Sequence, residues 1–154
     1  MEMTTRIQID ADRDTIFELA AAVEQWPRIL PHYRWVRLLR EEGRRRVVEM
    51  AASRDSIPVR WTAVQELDLA ERRITFRHIK GITRGMEVAW TLTPIEHGTL
   101  VEIWHAFCPR WPFVPDALVS LVVGQFFVES IASKTLRHIK ALAEERSRSE
   151  VSMP

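Results

Sequence analysis

One cysteine, Cys108, stands among 154 residues. It excludes an intrachain disulfide and leaves no CxxC pair for zinc or redox chemistry. Glycine is also scarce, at five residues, and none sits in a phosphate-cradling loop. Gly81 and Gly85 flank Ile82-Thr83-Arg84, which reads as a connection between strands. Neither sign of charge dominates: 22 Lys and Arg face 21 Asp and Glu, a net +1. Nothing in that balance calls for nucleic acid as a partner. The run Arg44-Arg45-Arg46 is short and is expected in a solvated turn. No stretch of about twenty apolar residues marks an integral membrane segment. The opening MEMTTRIQID lacks the apolar centre of a signal peptide, so the expected location is cytoplasmic. His97 adjoins a turn glycine and His32 lies between Pro31 and Tyr33, neither with a second ligand at useful spacing. Ser120, Ser130 and Ser133 lack a nucleophile elbow. No metal and no cofactor is expected.

What the chain does have is a fold-forming pattern. Hydrophobic content of 46% with 28% charged residues places it among globular domains able to bury a core without staples. Residues 1–146 read as one domain and 147–154 as a frayed polar tail. Thr5 to Asp10 alternates as a first strand. Asp12 can cap a helix in which Ile16, Phe17, Leu19, Ala20 and Val23 recur at helical spacing. Trp26-Pro27 suits the first turn of a short second helix over Gln25 to Leu30. From Tyr33 to Phe107 six extended runs alternate with short polar turns, the signature of an antiparallel meander. Asp116 can then cap a helix of about 30 residues, about 45 Å long, with Leu118, Val122, Phe126, Ala132, Leu136 and Ile139 on its apolar stripe. The fold class is α+β: one long helix closing over a curved antiparallel sheet.

Period-two alternation assigns strand faces all at once. The more apolar set of each strand, taken as inward, carries Trp61, Gln65, His78, Trp90 and His105 among aliphatic groups. Glu24 to Val36, EQWPRILPHYRWV, adds Trp26 and Tyr33 at the sheet's edge, and Trp35 is left facing either way. Large rings usually fill space, and a lone inward histidine is more often a bonded core residue than a catalyst. Gln65 needs a partner, either a ligand or a structural bond. The stretch from Trp111 to Val128 holds a single charge, Asp116, and its apolar residues circle the helix. It reads as buried helix start, dimer face, lid or membrane-touching edge.

The order of elements, EQWPRILPHY at 24–33, GMEVAW at 85–90 and TLRHIK at 135–140, resembles the START-like or SRPBCC superfamily. The resemblance is strongest to its polyketide cyclase/aromatase branch, a relative of the coenzyme Q-binding branch. It implies a helix-grip (START/Bet v 1-like) fold with a cavity between sheet and helix. In the cyclase branch that cavity binds a tethered poly-β-ketone and guides aldol closure and dehydration. Such chains match here at Trp26-Pro27, Tyr33, Trp61 and Trp90. They carry an arginine where this chain has Gln65, a second at His78, and an amide at His105, so fixed positive charge is lost.

The resemblance therefore implies Tyr33, His78 and His105 as acid–base groups. Trp26, Trp61, Gln65, Met86, Trp90, Ile103 and Phe126 become substrate contacts. The expected function is binding, with or without cyclisation, of a hydrophobic polyketide-type intermediate. The alternative is a non-enzymatic carrier of lipid or isoprenoid quinone. Partners implied are a small aromatic ligand and the acyl carrier protein of a polyketide synthase, with transient membrane contact and a monomer or homodimer left open.

Overall fold

In a computed structural model, residues 1–108 and 112–152 are described. Strand β1 (Glu2–Ile9) leads to helix α1 (Arg13–Ala21), a 3₁₀ turn (Val23–Gln25) and a short helix α2 (Trp26–Ile29). Six strands follow: β2 (Tyr33–Glu42), β3 (Arg45–Arg54), β4 (Ile57–Asp68), β5 (Arg73–Gly81), β6 (Glu87–Ile95) and β7 (Gly98–Ala106). The chain ends in one rod, α-helical over Asp116–Ser120 (α3), π-helical over Leu121–Val128 and α-helical over Glu129–Ser152 (α4).

All seven strands form a single antiparallel sheet in the order β1-β7-β6-β5-β4-β3-β2. The meander is as the turns predicted. What periodicity does not predict is the closure of β1 onto β7, which pairs Met3 with His105 and Ile9 with Thr99. That closure makes β1 one edge of the sheet and β2 the other.

Local chemistry accounts for the ends of the elements. Asp12 Oδ1 accepts from the Thr15 N–H at 2.7 Å, an N-cap as expected. Pro27 occupies the first turn of α2, where its missing N–H costs nothing. Asp116 is the first-turn acid of the terminal rod rather than its cap; Pro115 holds the cap position and makes no side-chain bond. The rod runs on to Ser152, beyond the tail boundary expected at 147. Residues 109–111, including Trp111 of the apolar stretch, fall outside the described residues.

The inward faces agree with the alternation: Ile74, Phe76 and His78 on β5, and Val101, Ile103 and His105 on β7, are all buried. The N-terminal half of the rod departs from its expected stripe. Leu118 and Val122 are exposed, while Val119, Val123 and Val128 are buried. The five-residue step from Val123 to Val128 matches the wider π-helical turn, which a 3.6-residue period cannot anticipate. From Ile131 onward the stripe returns to α spacing, with Ala132, Leu136, Ile139 and Ala143 buried. By length and composition alone, the rod between Asp116 and Glu150 could cross a membrane. Its buried face, packed on the sheet layer, makes it the core helix of this fold.

Arg46 is a second departure. Its side chain is only 12% exposed and does not lie in a solvated turn. It donates to the Ala21 carbonyl at 2.8 Å, to Gln65 Oε1 at 2.9 Å and to Glu24 at 3.0 Å, tying β3 to the end of α1. Arg44 and Arg45 are exposed.

Gly98 opens β7 at φ 101°, a conformation that side-chain-bearing residues rarely adopt. A Cβ there would be driven into the Ile9 carbonyl, against backbone that cannot yield. Gly43, with φ 61° and open space around it, is strained by a side chain but not crowded. Gly98→Ala is expected to lower unfolding stability by at least about 2 kcal/mol, and Gly43→Ala by about 1–2 kcal/mol. Urea titration of both variants reads the difference, and equal losses would refute the packing account.

Candidate functional site

The site is built where large rigid rings meet without tiling the space between sheet and rod. Trp26, on α2, is buried and its indole N–H donates to the Leu19 carbonyl at 3.1 Å, which fixes the ring. Tyr33 meets it edge to face at 4.9 Å and 69°. Trp61 meets Tyr33 at 6.1 Å and 74°, and Trp90 meets Trp26 at 6.0 Å and 44°. Edge-to-face rings pack favourably but leave angular gaps that aliphatic groups fill only in part. Met50, Met86, Ile103 and Phe76 fill some of this space, and a cavity of about 90 Å³ remains.

The polar groups on its wall come from strands in three parts of the sheet. His78 projects from β5, stacks on Trp61 at 5.5 Å with the planes 4° apart, and shares a 2.6 Å hydrogen bond between Nδ1 and the Thr83 hydroxyl. His105 projects from β7, and its buried Nδ1 has no partner among the described residues. Burial depresses both imidazoles, with His105 adding to the effect on His78: His78 falls to about 3 and His105 to about 4. Both are neutral at pH 7. Burial raises the Tyr33 phenol, partly offset by a hydrogen bond with Thr135, so it stays protonated.

The rod supplies the roof through Phe127, Val128, Ile131, Ala132 and Thr135. Thr135 is the polar member of an otherwise apolar lining face, and it opens the TLRHIK segment that carries part of the family resemblance. Its hydroxyl donates to the Ile131 carbonyl at 2.8 Å and lies 2.8 Å from His32 Nε2. With that proton already directed, the His32 Nε2–H is the donor. His32, read from the sequence only as lacking metal-ligand company, is buried beside Tyr33 with ring centroids 5.0 Å apart. It is lowered to about 4, chiefly by burial and then by His138 and Lys134.

The structure thus brings together Trp26, Tyr33, Trp61, His78, Met86, Trp90, Ile103 and His105 on one cavity. It does not bring Gln65 or Phe126 to it. The Gln65 amide is fully buried and engaged: Nε2 donates to the Ala21 carbonyl at 3.0 Å and Oε1 accepts from Arg46. Of the two meanings open for Gln65, the structural bond holds. Phe126 turns to the β3 end, where the Arg54 guanidinium lies 3.8 Å over its ring, and Phe127 takes the lining position instead. Trp35 stands half-buried beneath the Arg37 guanidinium at 4.4 Å, away from the cavity. Among the described residues no group of three His, Cys, Asp or Glu could hold a metal ion.

A seven-stranded antiparallel sheet gripping a C-terminal rod over an apolar cavity defines the helix-grip, START/Bet v 1-like fold. The chain belongs to the polyketide cyclase/dehydrase and lipid transport family, whose model matches residues 1–144. Similar solved structures include the Zhui aromatase/cyclase of Streptomyces sp. R1128, at 22% identity and a TM-score of 0.85 over 97% of both chains. They also include the protein TTHA0849 of Thermus thermophilus, at 23% identity and a TM-score of 0.77 over 93% of this chain and 99% of that one. A START superfamily protein of Mycobacterium smegmatis is 16% identical, with a TM-score of 0.74 over 94% and 97%. At these identities the likeness establishes the fold. No curated protein sequence matches the chain.

The buried histidines set a pH dependence. Below about pH 6.5 the unfolded chain takes up protons that folded His78 and His105 refuse until about pH 3–4. Their contribution is therefore present above pH 6.5 and is lost as pH falls, at about 1.4 kcal/mol per unit for each histidine. Urea unfolding should show a marked loss between about pH 7.5 and pH 5, and His105→Gln should make it shallower. Stability that stays flat across that window would contradict neutral burial.

Proposed function

We propose that the cavity captures a hydrophobic polyketide-type intermediate and promotes its aldol cyclisation and dehydration. The observation that carries this reading is the convergence of two neutral imidazoles and a protonated phenol on one ring-walled cavity. The rings hold a flat, conjugated chain so that a nucleophilic carbon faces a ketone, which is catalysis by proximity. A neutral imidazole on the cavity wall, that of His105, removes a proton from a methylene flanked by two carbonyls. Such a methylene is acidic enough for a weak base. Tyr33 gives up its hydrogen bond with Thr135 to donate instead to the enolate oxygen, where charge develops in an apolar site. The new C–C bond leaves an alkoxide, and the imidazolium formed in the first step protonates it and returns to neutral imidazole. Dehydration repeats the exchange: the imidazole removes the remaining α-proton and, as imidazolium, delivers it to the hydroxyl, which leaves as water. His78, stacked on Trp61 and bonded to Thr83, holds the wall and adds a second neutral acceptor.

The cavity volume limits what fits. A cavity of about 150 Å³ encloses benzene in a well-studied case, and sites for larger ligands run from about 300 Å³. At about 90 Å³ the cavity holds no more than one ring. A longer chain requires displacement of the π-helical roof, Leu121–Val128.

A second reading, a non-enzymatic carrier of lipid or isoprenoid quinone, is favoured by the exposed apolar residues on the outer side of that roof. A carrier protein of a polyketide synthase as delivering partner, and a monomer or homodimer as working state, belong with these proposals. Product profiling with a minimal polyketide synthase tests the first reading: addition of the protein should redirect products toward cyclised, dehydrated species. Tyr33→Phe and His105→Ala should lower that yield by about tenfold or more with circular dichroism unchanged. Identical profiles with and without the protein would overturn catalysis, and a co-purified polyprenyl quinone in native mass spectrometry would favour the carrier.

A further inference from the structure

The proposed chemistry uses His78 and His105 and leaves a third buried histidine, His32, without a task. His32 does not line the cavity. It stands behind Tyr33 on the turn between α2 and β2, with the ring centroids 5.0 Å apart and the planes at 61°. That turn is fixed, because the Ser53 N–H donates to the His32 carbonyl at 2.8 Å. The His32 Nε2 lies 2.8 Å from the Thr135 hydroxyl, which does line the cavity. Its Nδ1 is buried without a partner among the described residues. An imidazole with one buried nitrogen unsatisfied is costly, and an apolar ring would fill the same place without that cost. The contact with Thr135 is what distinguishes the histidine.

The Thr135 hydroxyl has one proton and two lone pairs, and three neighbours share them. At rest the proton goes to the Ile131 carbonyl at 2.8 Å, and one lone pair takes the His32 Nε2–H. Tyr33, which keeps its own proton, is then the donor to the second lone pair. In that setting the phenolic O–H points at Thr135 and is withheld from a guest. The same contact also works in the opposite sense. It eases ionisation of the phenol, which is the effect of a Thr135 proton directed at the Tyr33 oxygen. The Ile131 carbonyl is not left bare when that proton turns, because it also accepts from His32. Burial, with His138 and Lys134 nearby, keeps His32 neutral, so its single N–H stays on this group of oxygens.

We infer that His32 and Thr135 are positioning residues that turn the Tyr33 phenol from an internal hydrogen bond to a donor aimed at the guest. Once the phenol gives up its bond to Thr135, rotation of the Thr135 O–H from Ile131 to the Tyr33 oxygen restores the contact in the opposite sense. No covalent bond breaks. The phenol then accepts one hydrogen bond while donating another, and such chains strengthen their members. His32 donates to the Thr135 oxygen in both settings, which holds that side chain in the rotamer that reaches Tyr33. The inference rests on the reading of the cavity as a site for a carbonyl-bearing guest, and it names what controls the donor of that site.

Acetophenone labelled at its carbonyl carbon, a one-ring ketone that cannot cyclise, tests this without turnover. Infrared difference spectra of the full chain should show a bound carbonyl band at lower frequency than in hexane. Tyr33→Phe should abolish that shift. Thr135→Val and His32→Phe should each reduce it, whereas Thr135→Ser and His32→Gln, which keep a hydroxyl and an N–H, should retain it. In the synthase assay Thr135→Val and His32→Phe should lower the cyclised yield about fivefold. Either of these two variants decides the matter provided its circular dichroism is unchanged. A shift as large in a folded Thr135→Val or His32→Phe as in the wild type overturns the inference and leaves Tyr33 its role. An unshifted bound band in the wild type overturns both. Absence of any bound band removes the cavity reading and the inference with it. A shift that depends on His32 and Thr135, in a protein without effect on polyketide products, upholds the inference and discards catalysis.

Discussion

Rigid rings that meet at steep angles leave a space they cannot fill, and the rest of this structure depends on that constraint. Trp26 and Tyr33 cross at 69°, and Tyr33 and Trp61 at 74°. The indole of Trp26 is held by the Leu19 carbonyl, so it cannot rotate to close the gap. Protein interiors otherwise reach the density of organic crystals. A void of about 90 Å³ persists here because its walls are stiff and supported from behind by strands and by α1.

The same enclosure sets the chemistry of the polar groups it contains. Excluding water removes the stabilisation of any charge, so His78 and His105 stay neutral and Tyr33 keeps its proton. An arginine at Gln65 would have brought fixed charge toward this region. Instead the cation that meets Gln65, Arg46, is drawn to Ala21, Gln65 and Glu24, away from the cavity. The site is therefore a set of weak, uncharged donors and acceptors. These suit a substrate whose own acidity does part of the work, and equally a guest that is merely held.

The roof introduces the opposite property. Over Leu121–Val128 the rod widens into π-helical turns, with buried Val123 and Val128 within and exposed Leu121 and Val122 without. Wide turns have poorer internal packing than α-helix and recur at functional positions. A stiff-walled floor under a less regular roof is a physical arrangement for a cavity that must admit something larger than its resting volume.

Much of this could be read along the chain. Hairpin spacing gave six strands, alternation placed Trp61, His78, Trp90 and His105 inward, and Asp12 marked a helix start; each follows from geometry between near neighbours. The candidate site was legible in the same way at Trp61, His78, Trp90, Ile103 and His105, which alternation turned toward the cavity. It was not legible at Phe126, where a wholly apolar helix surface gives periodicity no polar face to register against. Nor was it legible at Gln65, whose meaning depended on what α1 and β3 would offer it. The pairing of β1 with β7, the arrival of Thr135 beside His32 and Tyr33, and the volume left between the rings join residues far apart in the chain. The sequence by itself determined which side of each strand is apolar, because that is a property of a few consecutive residues. Only the tertiary structure decided which of those surfaces meet and what space they leave, because that depends on the relative placement of whole elements.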